Sequence, residues 1–334
     1  MPKYLRALRR VAIAILAINV VQLVCSWLFI DYWLFEITTH FLPQQLALVA
    51  FCAAVIVAQR SRPLGAAIIA AFVTVSLVQK PGYTRHLAGA SVPVLQVISY
   101  NVLYENDNYA EVEKWLLESL SKENENLVLL VEASESWTAG MSELKKRLPY
   151  HLELAPSPAY GMALYSSVPL DGVKMEQMEP RSPPVVTGKV RVAGKDVKLY
   201  GVHTLPPTGQ DWFEVRNKLL ATLGEAVKAD AAPVILMGDL NCSPWSPKMR
   251  LLTNSGKLMD PFEQLMRPHT WSALPGLLVT TPIDHILHSR ELVAREVAVG
   301  PHMGSDHRPL VARFSWSHTE GPNVRHPSGD VTQR

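Results

Sequence analysis

The sequence predicts an α/β protein, a soluble domain of two packed sheets flanked by helices, carried behind three transmembrane helices. Three observations predict it. Nearly uncharged apolar runs fill the first 80 residues; short apolar bursts and helical patterns divided by turn signals fill the rest; and the balance of charge changes between the two parts.

From Val11 to Ile30 the chain carries no charge, enough residues to cross a bilayer core of about 30 Å at about 1.5 Å each. The runs LPQQLALVAFCAAVIVA (42–58) and LGAAIIAAFVTVSLV (64–78) are shorter and need flanking residues to complete a span. A cleaved signal peptide would account for one run and leave two. Residues 1–80 are therefore expected to form a membrane anchor. Lys3, Arg6, Arg9 and Arg10 precede the first run, Arg60 and Arg62 separate the second from the third, and Asp31 and Glu36 follow the first. Basic loops mark the cytoplasmic side. Three crossings then place the remainder on the extracytoplasmic side of the cell inner membrane.

Residues 1–90 hold eight basic and two acidic side chains, leaving 24 and 28 of the chain's 32 and 30 for the rest, a net of about −4. Non-specific nucleic-acid binding is driven by basic surface that releases counterions, and a mildly acidic domain argues against it. Cys25 and Cys52 lie in the apolar runs and Cys242 is alone in the soluble part, so no disulfide can form within that domain.

Lys80 to Pro93 has the Pro, Gly and small polar residues of a linker, giving an 81–92 linker, a 93–315 domain and a polar, disordered 316–334 tail. Within the domain, VLQVISYNV reads as a strand, YAEVEKWLLESLSKE as a helix, NLVLLVE as a buried strand and MSELKKRL as a short helix. GMALYSS, GKVRV and VKLYGVH read as strands, with AGKD as the turn between the last two. A helix over 212–229 precedes the strand APVILMGDLN, and PIDHILHS and LVARFSW close the domain.

Several apolar runs end on a residue that a core excludes: Asn101, Glu132, His203, Asp239 and, two further on, Asn241. Asp284, Asp306 and His307 follow. One such ending is an ordinary cap or turn; five in one domain are hard to explain that way, because a carboxylate ending an apolar run is costly to bury unless paired or bound to a cation. Carboxylate and amide oxygens suit a hard cation such as Mg²⁺, and the domain has too few Cys and clustered His for zinc. His40, His86, His151, His269, His285, His288, His302 and His318 read as surface or packing residues, and Trp245 as packing.

The segments ISYNV, LLVEAS, GMALYSSVPL, YGVHT, MGDLNCSPWS, TPIDHIL and GSDHRPL, in that order, resemble the endonuclease/exonuclease/phosphatase superfamily over about residues 93–315. The resemblance implies a four-layer αββα sandwich and divalent-metal-dependent phosphoester hydrolysis, with Mg²⁺ or Mn²⁺ as cofactor. By motif position it implies Glu132 as principal metal ligand, with Asn101 beside it and Asp306 as a further ligand. Asp239 would orient or deprotonate the attacking water and Asn241 would hold a phosphate oxygen. His203 would contact the phosphate, and His307, oriented by Asp284, would serve as acid/base or electrostatic partner. Ser167 and Pro282 stand where the family often has basic residues, and both positions are expected near substrate phosphates. The expected partners are a phosphate-ester substrate and the lipid bilayer, with no obligate protein partner. A lipid phosphate or lipid-linked pyrophosphate suits the anchor and the acidic domain; nucleic acid is the alternative substrate, and a non-catalytic scaffold the alternative class.

Overall fold

The computed structural model describes residues 3–58, 84–87, 92–155, 157–262, 267–273 and 279–317. Helix α1 (Lys3–Leu28) packs against α3 (Leu42–Ala58), with the short α2 (Trp33–Thr39) between them in sequence. Among the described residues, one helix, Arg6–Leu28, is long and apolar enough to cross a membrane. This differs from the expected three. Leu42–Ala58 spans about 25 Å at about 1.5 Å per residue. It passes the same test only together with α2, from which it bends by 74°. The expected third span, residues 64–78, lies outside the described residues, as do residues 318–334 of the expected tail.

The remaining strands, in chain order, are β1 (Thr84–His86), β2 (Leu95–Asn101), β3 (Glu125–Val131), β4 (Tyr150–Leu154), β5 (Met162–Ser166), β6 (Leu170–Glu176), β7 (Val185–Val192), β8 (Lys195–His203), β9 (Val234–Asp239), β10 (Leu258–Met259), β11 (Trp271–Ser272), β12 (Thr280–Thr281), β13 (Asp284–Ser289), β14 (Leu292–Val299) and β15 (Leu310–Trp316). They are joined by α4 (Tyr109–Ser119), α5 (Glu135–Gly140), α6 (Ser142–Arg147), α7 (Gln210–Ala229) and α8 (Met249–Thr253). One sheet has the order β1-β14-β15-β2-β3-β5-β4 and the second β10-β13-β9-β8-β7-β6. Thr84–His86, inside the expected linker, thus forms an edge strand. The sequence reading also passes over β4, β6 and β14, whose half-exposed patterns carry a weaker apolar signal than the buried β2, β3 and β9.

Period-two burial builds the layers. Val97, Leu129 and Leu164 of the first sheet meet Leu199, Met237 and Ile286 of the second in one core. The alternate residues Ile98, Tyr100 and Leu130 face Val112, Leu116, Trp137 and Leu144 of α4 to α6. On the other side Val202 and Leu236 face Leu219, Leu223 and Leu252 of α7 and α8. The result is helix, sheet, sheet, helix. Each sheet contains one parallel pair, β2 with β3 and β8 with β9. A parallel pair needs a crossover, and α4 and α7 lie in those crossovers. The hairpin between β7 and β8 turns on Ala193 and Gly194, at φ 46° and 81°, as a two-residue turn with both centres left-handed requires.

Candidate active site

The polar strand endings converge because they continue the layer between the sheets. Asn101 lies four residues after Val97, Asp239 two after Met237, His203 four after Leu199 and Asp284 two before Ile286, so each shares a face with a residue of the inter-sheet core. Register aligns three of them, with Asp239 opposite both His203 and Asp284. Where the apolar residues stop, the core opens into a cleft of about 480 Å³ lined by Glu132, His203, Asp239, Asn241, Asp306 and His307 among others. Glu132 directly follows inward-facing Val131 and would point away by alternation. Its left-handed φ of 57° breaks the alternation. Asn241 is left-handed as well, at φ 45°. Such conformations are costly for non-glycine residues and concentrate at functional sites.

Asn101 sits between two carboxylates. Its Nδ2 donates to Glu132 Oε1 at 2.9 Å and to Asp239 Oδ2 at 3.1 Å, while its Oδ1 accepts from the Leu103 N–H at 3.1 Å. That donor fixes which way the amide faces. Asn101 thus spans the acids through its nitrogen, where the family resemblance implies a metal ligand. Asp239 Oδ1 accepts from the Asn241 N–H at 2.8 Å, and the Asn241 amide donates to Thr204 O at 2.9 Å. Gly238 of GDLN is dictated by backbone proximity: at φ 134°, a Cβ there would stand 1.8 Å from Val202 O.

His307 Nδ1 donates to Asp284 Oδ2 at 2.9 Å, and its Nε2 lies 3.6 Å from Asp239 Oδ2 and 3.9 Å from Asp306 Oδ1. Burial works against its charge, but Asp284 and Asp239 prevail and push it up to about 10. His203, 3.7 Å from Glu132 and 3.9 Å from Asp239, moves the other way, down to about 4, through burial and the charge of His307. Burial and the neighbouring Asp284 raise the Asp239 carboxyl above its ordinary range. Burial also raises Asp284, but the charge and hydrogen bond of His307 outweigh it and hold that carboxyl low. Burial raises Glu132, with Asn101 opposing.

Among the described residues lining the cleft there are four carboxylates, Glu105, Glu132, Asp239 and Asp306, and no Lys or Arg. Asp306 Oδ2 accepts from Trp271 Nε1 at 2.8 Å, whereas its Oδ1 is buried without a hydrogen-bond partner. An orphaned carboxylate oxygen in an acidic cleft of oxygen donors fits a hard divalent cation. Asp239, Asp284 and His307 form a second, tighter group, their ligand-type atoms all within 4.8 Å.

Several contributors escape the sequence reading. Ser305 ties the closing loop to β2, its hydroxyl donating to Asn101 O at 2.8 Å and accepting from the His307 N–H at 3.0 Å. Tyr160 packs its ring 5.7 Å from His203. Ile37, His40 and Phe41, from the expected anchor, line the cleft. His40, expected as a surface or packing residue, is buried beside Glu36 and lines the cleft as well. Ser167 departs from expectation. It binds Asn126 at the start of β3, with its hydroxyl accepting at 2.8 Å, at the opposite end of that strand from Glu132. It cannot grip phosphate in the cleft. Trp245 packs beside His269, ring centres 6.3 Å apart.

A mixed sandwich with this cleft at the C-terminal ends of its parallel strands defines a class of phosphoester hydrolases. The chain belongs to the Endonuclease/Exonuclease/phosphatase family, whose model matches residues 98–307. Solved structures with the same fold include Danio rerio TDP2 humanized by 14 mutations, 18% identical, covering 66% of this chain and 98% of its own at a TM-score of 0.53. The human Nocturnin catalytic domain with bound sulfate is 17% identical over 71% of this chain and all of its own, also at 0.53. An endonuclease/exonuclease/phosphatase from Beutenbergia cavernae is 17% identical over 67% and 72%, at 0.52. No curated protein matches the chain.

Proposed function

We propose that this chain is a membrane-anchored, divalent-metal-dependent hydrolase of phosphate esters carried by lipid. The observation that carries the lipid assignment is the composition of the cleft: α2 and the residues after it supply Ile37, His40 and Phe41 to its wall, and Lys and Arg are missing from its described lining. Proteins that hold nucleic acid place cations along the phosphate backbone. Among its described residues this cleft offers histidines in place of Lys and Arg, and an apolar wall that adjoins the anchor. Tethering beside the bilayer raises the effective concentration of a lipid substrate. The anchor, with α1 as one span, and an extracytoplasmic catalytic domain over 93–315 belong to the same proposal.

Glu132 and Asp306 would hold Mg²⁺ or Mn²⁺, with Asn101 orienting Glu132 and Asp239 from between them. When bound, the cation neutralises charge on the phosphoryl oxygens. Asp239 accepts the proton of the attacking water; its raised affinity for protons suits a general base near neutral pH. Asn241 donates to a phosphate oxygen. His307, charged and fixed by Asp284, sets positive charge beside the phosphate, and neutral His203 donates to it. Two histidines driven apart in proton affinity allow these separate roles in one cleft.

The test compares hydrolysis of a long-chain lipid phosphate in mixed micelles with that of single- and double-stranded DNA by the full chain, with Mg²⁺ and with EDTA. The proposal expects Mg²⁺-dependent release of phosphate or headgroup from the lipid and little DNA cleavage at physiological salt. The reverse preference would overturn the lipid assignment.

A further inference from the structure

Glu36 is a carboxylate with no exposure to solvent, on a seven-residue helix between two apolar ones. Burying such a charge requires partners; besides His40 on its own segment, one of them is in the catalytic domain. Arg216 of α7, equally buried, sets Nη2 3.1 Å from Glu36 Oε1. The same oxygen accepts from Ser246 Oγ and lies 3.1 Å from His40 Nε2. Arg216 then reaches onward, its Nη1 donating to the Asn241 carbonyl at 2.7 Å. Asn241 is the left-handed residue whose N–H binds Asp239 Oδ1 at 2.8 Å. Three contacts therefore connect the anchor segment to the carboxylate assigned above as general base.

We infer that Glu36 is a positioning residue: by fixing the Arg216 guanidinium it holds the strained Asp239–Asn241 turn, so the catalytic centre is complete only with α2 docked. The inference rests on the phosphoesterase reading of the cleft. Glu36 lies outside residues 98–307, the stretch the family model matches. The docking is specific at several further points. Thr281 Oγ1 donates to His40 O at 2.8 Å, Gln210 accepts from the Trp33 N–H at 3.1 Å, and Lys248 pairs with Asp31. Glu36, His40 and Cys242 also cluster as a metal site would. A guanidinium already supplies the positive charge there, and it repels a second cation. A planar fork that binds a carboxylate with one arm and a carbonyl with the other transmits position, and a displacement of about 1 Å in catalytic groups costs up to about 100-fold in rate.

The experiment uses the full chain in detergent micelles, with bis-p-nitrophenyl phosphate and p-nitrophenyl phosphate as probes and deuterium exchange of the 238–246 segment as a second readout. Glu36→Gln keeps the shape and removes the charge. It is expected to lower kcat roughly 10- to 100-fold with KM nearly unchanged, and to speed exchange in 238–246 while 125–131 exchanges as before. Glu36→Asp, which keeps the charge, retains more activity than Glu36→Gln. Arg216→Lys gives up the second arm and reproduces both effects. Asp31→Ala, which removes an exposed contact of the same interface, changes neither. Wild-type kcat or wild-type loop exchange in Glu36→Gln overturns the inference, and should that variant fail to fold, the same outcomes in Arg216→Lys do so. If the wild type hydrolyses neither ester, the phosphoesterase reading falls and loop exchange alone decides the role of Glu36.

Discussion

His203 and His307 face one cleft and titrate in opposite directions because their partners differ. His307 has Asp284 at 2.9 Å, whereas among the described residues the carboxylate nearest His203 is Glu132 at 3.7 Å, and His203 stands in the field of His307. Replacing His307 by Ala removes the fixed charge proposed to stand beside the phosphate, and kcat/KM is expected to fall by about 10² to 10⁴; steady-state kinetics checks it. Replacing Glu132, the proposed metal ligand, by Ala should weaken Mn²⁺ binding by at least about tenfold, since a direct ligand counts for no less than the groups hydrogen-bonded behind it, whose loss costs about 10- to 100-fold. Calorimetric titration of the metal reads that directly. All eight site residues expected from the sequence either line this cleft or bond to a residue that does; for Asn101, Glu132, His203, Asp239 and Asn241 the signal is polarity at the end of an apolar run, and for Asp284, Asp306 and His307 it is the motifs TPIDHIL and GSDHRPL. Ser305, Tyr160 and Trp271 gave no such signal. Their contribution is a hydroxyl, a ring or an indole N–H brought in by tertiary contact, and nothing in their neighbours' hydropathy marks it.

At the scale of elements, the strands β2, β3 and β9 and the second half of β8 were legible because both faces are covered and apolar residues dominate the runs. Strands β4, β6 and β14 were not, since solvent on one side breaks the run with charges. Helix α2 shows a different failure. WLFEITT is apolar enough to merge with the segments around it, and its one acid reads as a loop charge until Arg216 is seen opposite. Removing one partner of a buried pair leaves the other charged and unpaired, so Glu36→Ala should destabilise the full chain by about 3–5 kcal/mol, measured by chemical denaturation in detergent. Gly238→Ala is expected to cost more than about 3 kcal/mol, because the new methyl meets the Val202 carbonyl of the neighbouring strand. A variant with wild-type stability would show that β8 and β9 can separate at that point.

Across the whole molecule, buried histidines set the response to acid. Burial holds His269 down to about 4 from an ordinary 6.5, and holds His285 and His288 below the same value. All three stay neutral in the folded chain at a pH where the unfolded chain takes up protons. Their stabilising contribution is thus present above about pH 6.5 and is lost as pH falls through 6.5 toward 4. His307 contributes with the opposite sign, fully below 6.5 and lost as pH rises through about 10. From about pH 7.5 down to 5 the denaturation midpoint of His288→Gln should therefore rise relative to that of the wild type, the opposing Asp239 and His307 being common to both chains; a constant difference would contradict the burial argument. The two-layer core and the cleft at its open end follow from one alternation carried past the last apolar residue. The proposed membrane anchoring rests on the apolar character of α1 and on the docking of α2. The most direct test of the account is phosphate-ester hydrolysis by the full chain on a lipid phosphate, before and after EDTA and again after added Mg²⁺, beside Glu132→Ala. Activity that EDTA abolishes, Mg²⁺ restores and Glu132→Ala lacks is the predicted result; hydrolysis that is indifferent to EDTA, or undiminished in Glu132→Ala, would contradict it.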